Sequence, residues 1–314
     1  MSRYLVTGGA GFIGSHIVDR LVERGDSVVV LDNLSTGKLA NLEQSRGSIE
    51  LLEADVRDLD AVRQACRGVE CVLHHAALAS VPQSIADPIS ANEVNASGTL
   101  NVLVAAREAG VRRVVYSASS SVYGDTPPMP ISEDRPPAPL SPYAVSKHVG
   151  ELYCQVFWKL HGLETVVLRY FNVFGPRQDP SSEYAAVIPK FITALQRGES
   201  PVIFGDGEQT RDFVYVGNVV EANLLALKAP NAAGQVLNIA SGLRTSLNQL
   251  VAMMQRVIEA DIPAVHGRRR PGDIRHSCAD ISRARELLGY QVSVSLEEGM
   301  ALTAEWFDRR ARIG

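Results

Sequence analysis

The chain has 314 residues, 46% of them apolar and 21% charged, with a formal net charge of −4. That length buries a core without disulfide or metal support, and the mild acidity excludes a broad basic surface for a nucleic-acid backbone, Arg268-Arg269-Arg270 being the one short basic run. The four scattered cysteines form no CxxC pair, so they read as buried hydrophobes rather than metal ligands.

Met1 leads almost directly into the strand run Tyr4–Thr7, leaving no room for a signal peptide, and no stretch reaches the ~18 apolar residues of a spanning helix. A cytoplasmic protein with no membrane partner is expected. Further strands are expected at Ser27–Leu31, Ile49–Leu52, Cys71–His74, Arg113–Ser117 and Thr165–Arg169. Helical patterns lie between them, near Ile13–Arg24, Asp58–Cys66, Asn92–Ala109 and Pro142–His161. Such alternation is the mark of βαβ units and an α/β fold with a doubly wound parallel sheet. Residues 125–142 hold seven of the sixteen prolines and read as a loop, ending in a serine cap and a first-turn proline, Ser141-Pro142. Asp212–Val216 and Val236–Ala240 suggest a return to the first sheet. The expected division is 1–170 plus 212–241 for one domain, and 171–211 plus 242–314 for a smaller, discontinuous one.

Between the first strand and first helix, Gly8, Gly11 and Gly14 are spaced GxxGxxG, which permits a tight turn and close approach of a pyrophosphate to a helix N-terminus. The second strand ends at Asp32, eighteen residues after Gly14, placed to accept hydrogen bonds from an adenosine ribose. Its carboxylate would repel a 2′-phosphate, and Asn33, Leu34, Ser35 and Thr36 offer no arginine to offset that, so NAD is expected over NADP. Asp55-Val56 either brackets the adenine or is a polar strand end.

Tyr143 and Lys147 lie four apart at the start of the Pro142 helix, on one face. A lysine cation one turn away stabilises a phenolate and makes tyrosine a usable base. Ser119-Ser120-Ser121 follows the Arg113–Ser117 strand and offers hydroxyls at its carboxyl end.

These motifs, with TGGAGFIGSH, DNLSTG, HHAALASV, NASGT, RYFNVFGPRQDP and RPGDIRHSCADISRARELLGY, run nearly end to end. The chain resembles the extended short-chain dehydrogenase/reductases, a Rossmann-type family, and within them the nucleotide-sugar 4-epimerases. The resemblance implies NAD contacts by Gly8, Gly11, Phe12, Ile13, Gly14, Asp32, Asn33, Ser35, Thr36, Gly37, Asp55, Val56, Ala76, Asn95, Tyr143, Lys147 and Phe171. It implies that Ser119 and Ser121 hold the sugar's O4 region, that Tyr143 is the acid/base, and that Asn172, Arg211, Arg270 and Asp273 hold the nucleotide diphosphate and ribose. Ser277 falls where epimerases limited to plain hexoses can carry tyrosine; it is either the residue that leaves room for an acetamido group or a polar strand residue. Ala79 departs from the lysine of many galactose-type epimerases, so that cofactor contact must be absent or replaced. A homodimer is expected from the two-faced apolar helices carrying Val102, Leu103 and Val104, and Val145, Val149, Leu152 and Val156.

The expected reaction is epimerisation at C4 of a UDP-hexose or UDP-N-acetylhexosamine through a 4-keto sugar. Related dehydratases and decarboxylases carry acids just before VYG, where this chain has Ser120-Ser121. A glucuronate 4-epimerase also carries a serine run there and stays open as an alternative. A non-catalytic NAD-sensing regulator would typically lack the Tyr143–Lys147 pair.

Overall fold

Short runs of Val, Leu and Ile, buried on both faces, make the strands of a sheet covered by helices on each side. The structure, a computed structural model, describes residues 2–125, 128–180, 187–269 and 274–313. Strands β1 (Arg3–Thr7), β2 (Ser27–Asp32), β3 (Ile49–Glu53), β4 (Cys71–His74), β5 (Arg113–Ser119) and β6 (Glu164–Tyr170) alternate with helices α1 (Phe12–Glu23), α2 (Leu59–Ala65), α3 (Val81–Ala86), α4 (Pro88–Asn92), α5 (Gly98–Glu108) and α6 (Pro142–His161). There follow β7 (Val173–Phe174), α7 (Val187–Gln196), β8 (Val202–Phe204), β9 (Thr210–Arg211), β10 (Val214–Tyr215), α8 (Val216–Lys228), β11 (Val236–Ile239), β12 (Thr245–Ser246), α9 (Leu247–Ile258), β13 (Val265–Gly267), α10 (Ser282–Leu288) and α11 (Leu296–Ile313).

The central sheet has seven strands in the order β11-β6-β5-β4-β1-β2-β3, every neighbouring pair parallel. Chain order reverses between β1 and β4, and ligands of such sheets bind at the strand carboxyl ends beside that point. One face packs Ile17, Leu21, Val219 and Leu227 from α1 and α8. The other packs Val62, Val102, Leu103 and Phe157 from α2, α5 and α6. Each fully buried Leu, Ile or Phe among these contributes about 1.5–3 kcal/mol. A third cluster, around Phe174, Phe191, Ile192 and Leu250, joins α7, α9 and α11 outside the sheet.

The expected strands stand with ends shifted by up to two residues, and α6 has the expected bounds, capped by Ser141 Oγ on the Ala144 amide at 3.2 Å and stopped by Gly162 at φ +68°. Two expectations need correction. The helix expected at Asn92–Ala109 is α5 preceded by a wider π turn, Glu93–Ser97, where Asn95 spends its side chain on neighbouring groups. Asp212–Val216 does not rejoin the central sheet: β10 pairs with β7 in a separate two-stranded ribbon, and only α8 and β11 return. The cause is Asp212, fully buried, whose carboxylate accepts from the amides of Ser241, Gly242 and Ala279 and the Ser241 hydroxyl, pinning the segment to the later loops. Among the described residues no helix is long and apolar enough to cross a membrane.

Candidate active site

One cavity of about 840 Å³ opens at the carboxyl ends of β1 and β4. Its cofactor end is built from close backbone approaches. Gly8 lies at φ +67°, and a Cβ there would stand 2.6 Å from the Ala76 nitrogen. At Gly14 a Cβ would stand 2.2 Å from the Gly8 carbonyl oxygen. Helix α1 follows Gly11 without a side-chain cap; the Gly11 amide donates to the Gly8 carbonyl at 3.1 Å, and the first turn, at Phe12 and Ile13, lies on the cavity wall. Uncapped amides at a helix N-terminus suit a pyrophosphate.

Asp32 closes the next side, its oxygens accepting from the Ala10 amide at 2.9 Å and the Leu34 amide at 2.8 Å. Each oxygen keeps a lone pair for a ribose hydroxyl. Burial raises its pKa, and the two backbone bonds oppose that shift. Gly37 is not on the wall: a Cβ there would stand 2.8 Å from Asp32 Oδ1, so it leaves room for the carboxylate. Asn33, Ser35, Thr36, Asp55, Val56 and Ala76 do line the cavity. Asp55 is gripped by Arg57 through Nε at 3.0 Å and Nη2 at 2.9 Å, and by Asn33 at 2.8 Å. The Arg57 fork brings its carboxyl down to about 2. Asn95 is likewise behind the wall, 1% exposed, holding both backbone groups of Leu78 and the Ser146 hydroxyl. It shapes the loop after β4, with both side-chain N–H groups and one Oδ1 lone pair taken up there.

The reactive end lies where α6 meets β5. Tyr143, Lys147, Ser119, Ser120 and Ser121 share the wall with Phe171. Tyr143 is fixed by its amide, which donates to Ser84 Oγ of α3 at 3.0 Å. Ser121 Oγ donates to Ser119 Oγ at 2.9 Å, and both hydroxyls share the cavity wall with Tyr143. Burial raises the Tyr143 pKa and the Ser119 bond lowers it. Lys147 donates to the Ser117 carbonyl at 2.7 Å; burial brings its ammonium down to about 8, opposed by Glu151. Desolvation, and after it the Lys147 charge, lowers the pKa of His74, which is buried, and of His75, which is half-buried on the cavity wall.

The far end holds Asn172, Arg211 and Ser277. Asn172 is oriented by its bond to the Asp212 carbonyl at 3.1 Å, Arg211 by its bond to the Thr210 carbonyl at 2.9 Å, and Ser277 by its amide on the Thr210 carbonyl at 3.0 Å. Arg270 and Asp273 lie outside the described residues. The cavity thus gathers the remaining expected residues, from Gly8 to Ser277, in one space.

Sequence reasoning missed how the loop after β7 is docked. Arg177, at φ +67°, bonds Asp19 of α1 at 2.6 Å; His16 meets the Pro176 carbonyl at 2.9 Å; Lys38 bonds Asp179 at 2.6 Å. Lys38, Arg177 and Asp179 all line the cavity, while Ala79 presents only a methyl group. The motif containing Arg177 was visible, but nothing local says that α1 is its dock.

The glycine cradle, the uncapped helix end and the buried acceptor Asp32 fit a dinucleotide. Comparison with known proteins agrees. The family model "NAD dependent epimerase/dehydratase family" matches residues 4–240. A UDP-glucose 4-epimerase of Mycolicibacterium smegmatis is 44% identical over 99% of this chain and 100% of its own. A solved UDP-N-acetylglucosamine 4-epimerase from Methanobrevibacter ruminantium M1, in complex with UDP-N-acetylmuramic acid, superposes with a TM-score of 0.94 at 43% identity, covering 98% of this chain and 99% of that one. A UDP-glucose 4-epimerase from Thermotoga maritima with UDP-glucose gives 0.94 at 40% identity, covering 98% and 99%. The chain belongs to the NAD-dependent epimerase/dehydratase family.

Proposed function

We propose that this protein is an NAD-dependent 4-epimerase of UDP-hexoses and UDP-N-acetylhexosamines. The observation that carries this reading is that Tyr143, buried Lys147, Ser119 and Ser121 share one cavity wall with the glycine cradle, Ser121 Oγ donating to Ser119 Oγ at 2.9 Å, with no carboxylate at Ser120-Ser121. A dehydratase or decarboxylase of this fold needs an acid there; a hydroxyl does not replace it at neutral pH. The 4-epimerase names of relatives above 40% identity support the same reaction.

The fit assigns NAD to Gly8, Gly11–Gly14, Asp32, Asn33, Asp55, Val56 and Phe171. When bound, NAD supplies the acceptor and donor for the C4 hydride. Ser119 and Ser121 orient the sugar's O4, and Tyr143 takes the O4 proton, its phenolate stabilised by Lys147. Asn172 and Arg211 keep hold of the diphosphate while the 4-keto sugar turns its other face, so the intermediate stays at effective molarity rather than diffusing away. Tyr143 then returns the proton to O4, and the sequence is redox-neutral overall.

On this reading 1–170 plus 212–241 form the NAD-binding unit and 171–211 plus 242–314 the nucleotide-sugar unit. The assembly is a homodimer. Val145, Leu152 and Val156 of α6 stand 46%, 47% and 44% exposed, with Ile85 and Ile89 exposed on α3 and α4, while Val102 and Leu103 are used up in the subunit core. Such an apolar helix face suits a two-fold partner. Four free, buried thiols accord with the cytoplasm.

The test is to incubate purified protein separately with UDP-glucose, UDP-N-acetylglucosamine and UDP-glucuronate and to look for C4 epimers by NMR. Turnover of the first two supports the proposal. Turnover of the uronate alone would move it to a glucuronate 4-epimerase, and an inert protein that binds NAD and UDP-sugar would make it a regulator.

A further inference from the structure

Behind the reactive end lies a buried set of charges that the mechanism above leaves unused. Glu151 follows Lys147 by one turn of α6, as Lys147 follows Tyr143, so the three side chains share one helix face. The Glu151 side chain is 1% exposed and that of Arg169, on β6, 5%. They form a two-pronged pair, Nε to Oε1 at 2.8 Å and Nη2 to Oε2 at 2.7 Å, with His148 Nδ1 a further 3.0 Å from Oε2. The Arg169 guanidinium also lies 4.7 Å over the Tyr123 ring, which fixes it from the other side. Lys147 itself meets the Ser117 carbonyl at 2.7 Å and the Tyr116 ring at 5.0 Å, neither of them an anion.

We propose that Glu151, locked by Arg169, is a positioning residue for Lys147: it is the buried counter-charge that lets the ammonium stand beside Tyr143. The inference deepens the reading of Tyr143 as acid/base and rests on it. Glu151 and Arg169 cancel, which leaves the buried set with the single positive charge of Lys147. The Tyr143 phenolate is the anion that completes it. Without Glu151 two cations would share a dry space, and guanidinium does not give up its proton, so Lys147 must. Neutral Lys147 no longer supports a phenolate. The direction of the known shifts agrees: burial pushes the Lys147 ammonium down while Glu151 opposes it, and the bonds from Arg169 and His148 outweigh burial to keep Glu151 ionised.

One proton shared by Tyr143 and Lys147 can rest on either, and that balance does not depend on pH. Loss of Glu151 therefore lowers the whole active plateau while moving its acid limb to lower pH. A loosened helix lowers the plateau without moving the limb in that direction.

The experiment compares wild type, Glu151→Gln, Glu151→Asp and the paired change Glu151→Gln with Arg169→Gln. The paired change leaves no uncompensated arginine and keeps the test open if Glu151→Gln does not fold. Each is titrated by phenolate absorbance against the same background carrying Tyr143→Phe, and kcat and KM are followed with pH. Expected for Glu151→Gln are a phenolate titration and an acid limb displaced from wild type and a loss of at least about tenfold in kcat with KM held within about twofold, with partial recovery in Glu151→Asp and recovery in the paired variant, which removes the second cation. A wild-type phenolate titration in Glu151→Gln, or a paired variant as impaired as Glu151→Gln, would overturn the proposal. The absorbance needs no sugar, so a wild type with normal phenolate and no epimerisation would count against the function and leave this proposal standing.

Discussion

Lys147 Nζ donates to the Ser117 carbonyl at 2.7 Å, joining α6 to the last residues of β5 two positions before Ser119. This bond sets the height of α6 over the sheet, and with it the place of Tyr143 on the cavity wall it shares with Ser119. Tyr143→Phe removes the proton carrier and leaves the packing. The expected outcome is a fall in kcat of roughly 10²–10⁴ with Tm unchanged within a degree or two, measured by turnover and thermal melt. Retained turnover would remove Tyr143 from the mechanism.

Gly14→Ala puts a methyl 2.2 Å from the Gly8 oxygen, a backbone atom that is itself held by the Gly11 amide at 3.1 Å. The loop must shift, and the pyrophosphate cradle with it. Protein purified with this substitution is expected to hold far less cofactor than wild type and to melt lower. Denatured wild type should release NAD or NADH, because a redox-neutral cycle needs no exchange; release of NADP would contradict the role given to Asp32.

Three histidines, His74 buried and His16 and His75 half-buried, have lowered pKa values that make the fold acid-sensitive. Burial brings His16 down to about 4 and His75 to about 3, with His74 also well below its ordinary value. The unfolded chain takes protons on these groups near pH 6.5 and the folded one does not, so stability is full above 6.5 and falls as pH drops toward 4. For His16 the loss is about 1–3 kcal/mol across that window, allowing for partial solvent access. His16→Gln keeps a donor for the Pro176 carbonyl, bonded at 2.9 Å, and should flatten the acid limb of a denaturation series by that amount. An unchanged limb would show that His16 is not the group titrating.

Much of the cofactor end was legible because its determinants are local. Three glycines between a strand and a helix, an acid at the next strand end, and a tyrosine and lysine one turn apart are each read within a few residues. What escaped depends on distant partners. Arg177 reaches Asp19 across 158 positions, and Asp212 gathers amides from two later loops, so neither dock is written in its own neighbourhood. Asn95 and Gly37 have the right motifs but stand off the wall: one turns its side chain to Leu78 and Ser146, the other is kept bare by Asp32. The shortness of β10 hid its pairing with β7, since two residues carry no usable alternation.

At the sugar end, Ser277 lines the cavity with Ile274 and Arg211. A tyrosine in its place would fill room that, on the proposed reading, lies beside the sugar's C2 substituent. Ser277→Tyr is expected to depress kcat/KM for UDP-N-acetylglucosamine at least about tenfold more than for UDP-glucose, the scale of about 1.4 kcal/mol of lost fit. Equal losses on both would make Ser277 a bystander.

The central claim is that one hydride leaves C4 and returns to it within the cavity while Tyr143 handles only the O4 proton. UDP-N-acetylglucosamine epimerised by the wild-type protein in D₂O tests it directly, with the product read by NMR. The account expects the C4 epimer to appear with no deuterium at C4; deuterium incorporated at C4 would contradict it.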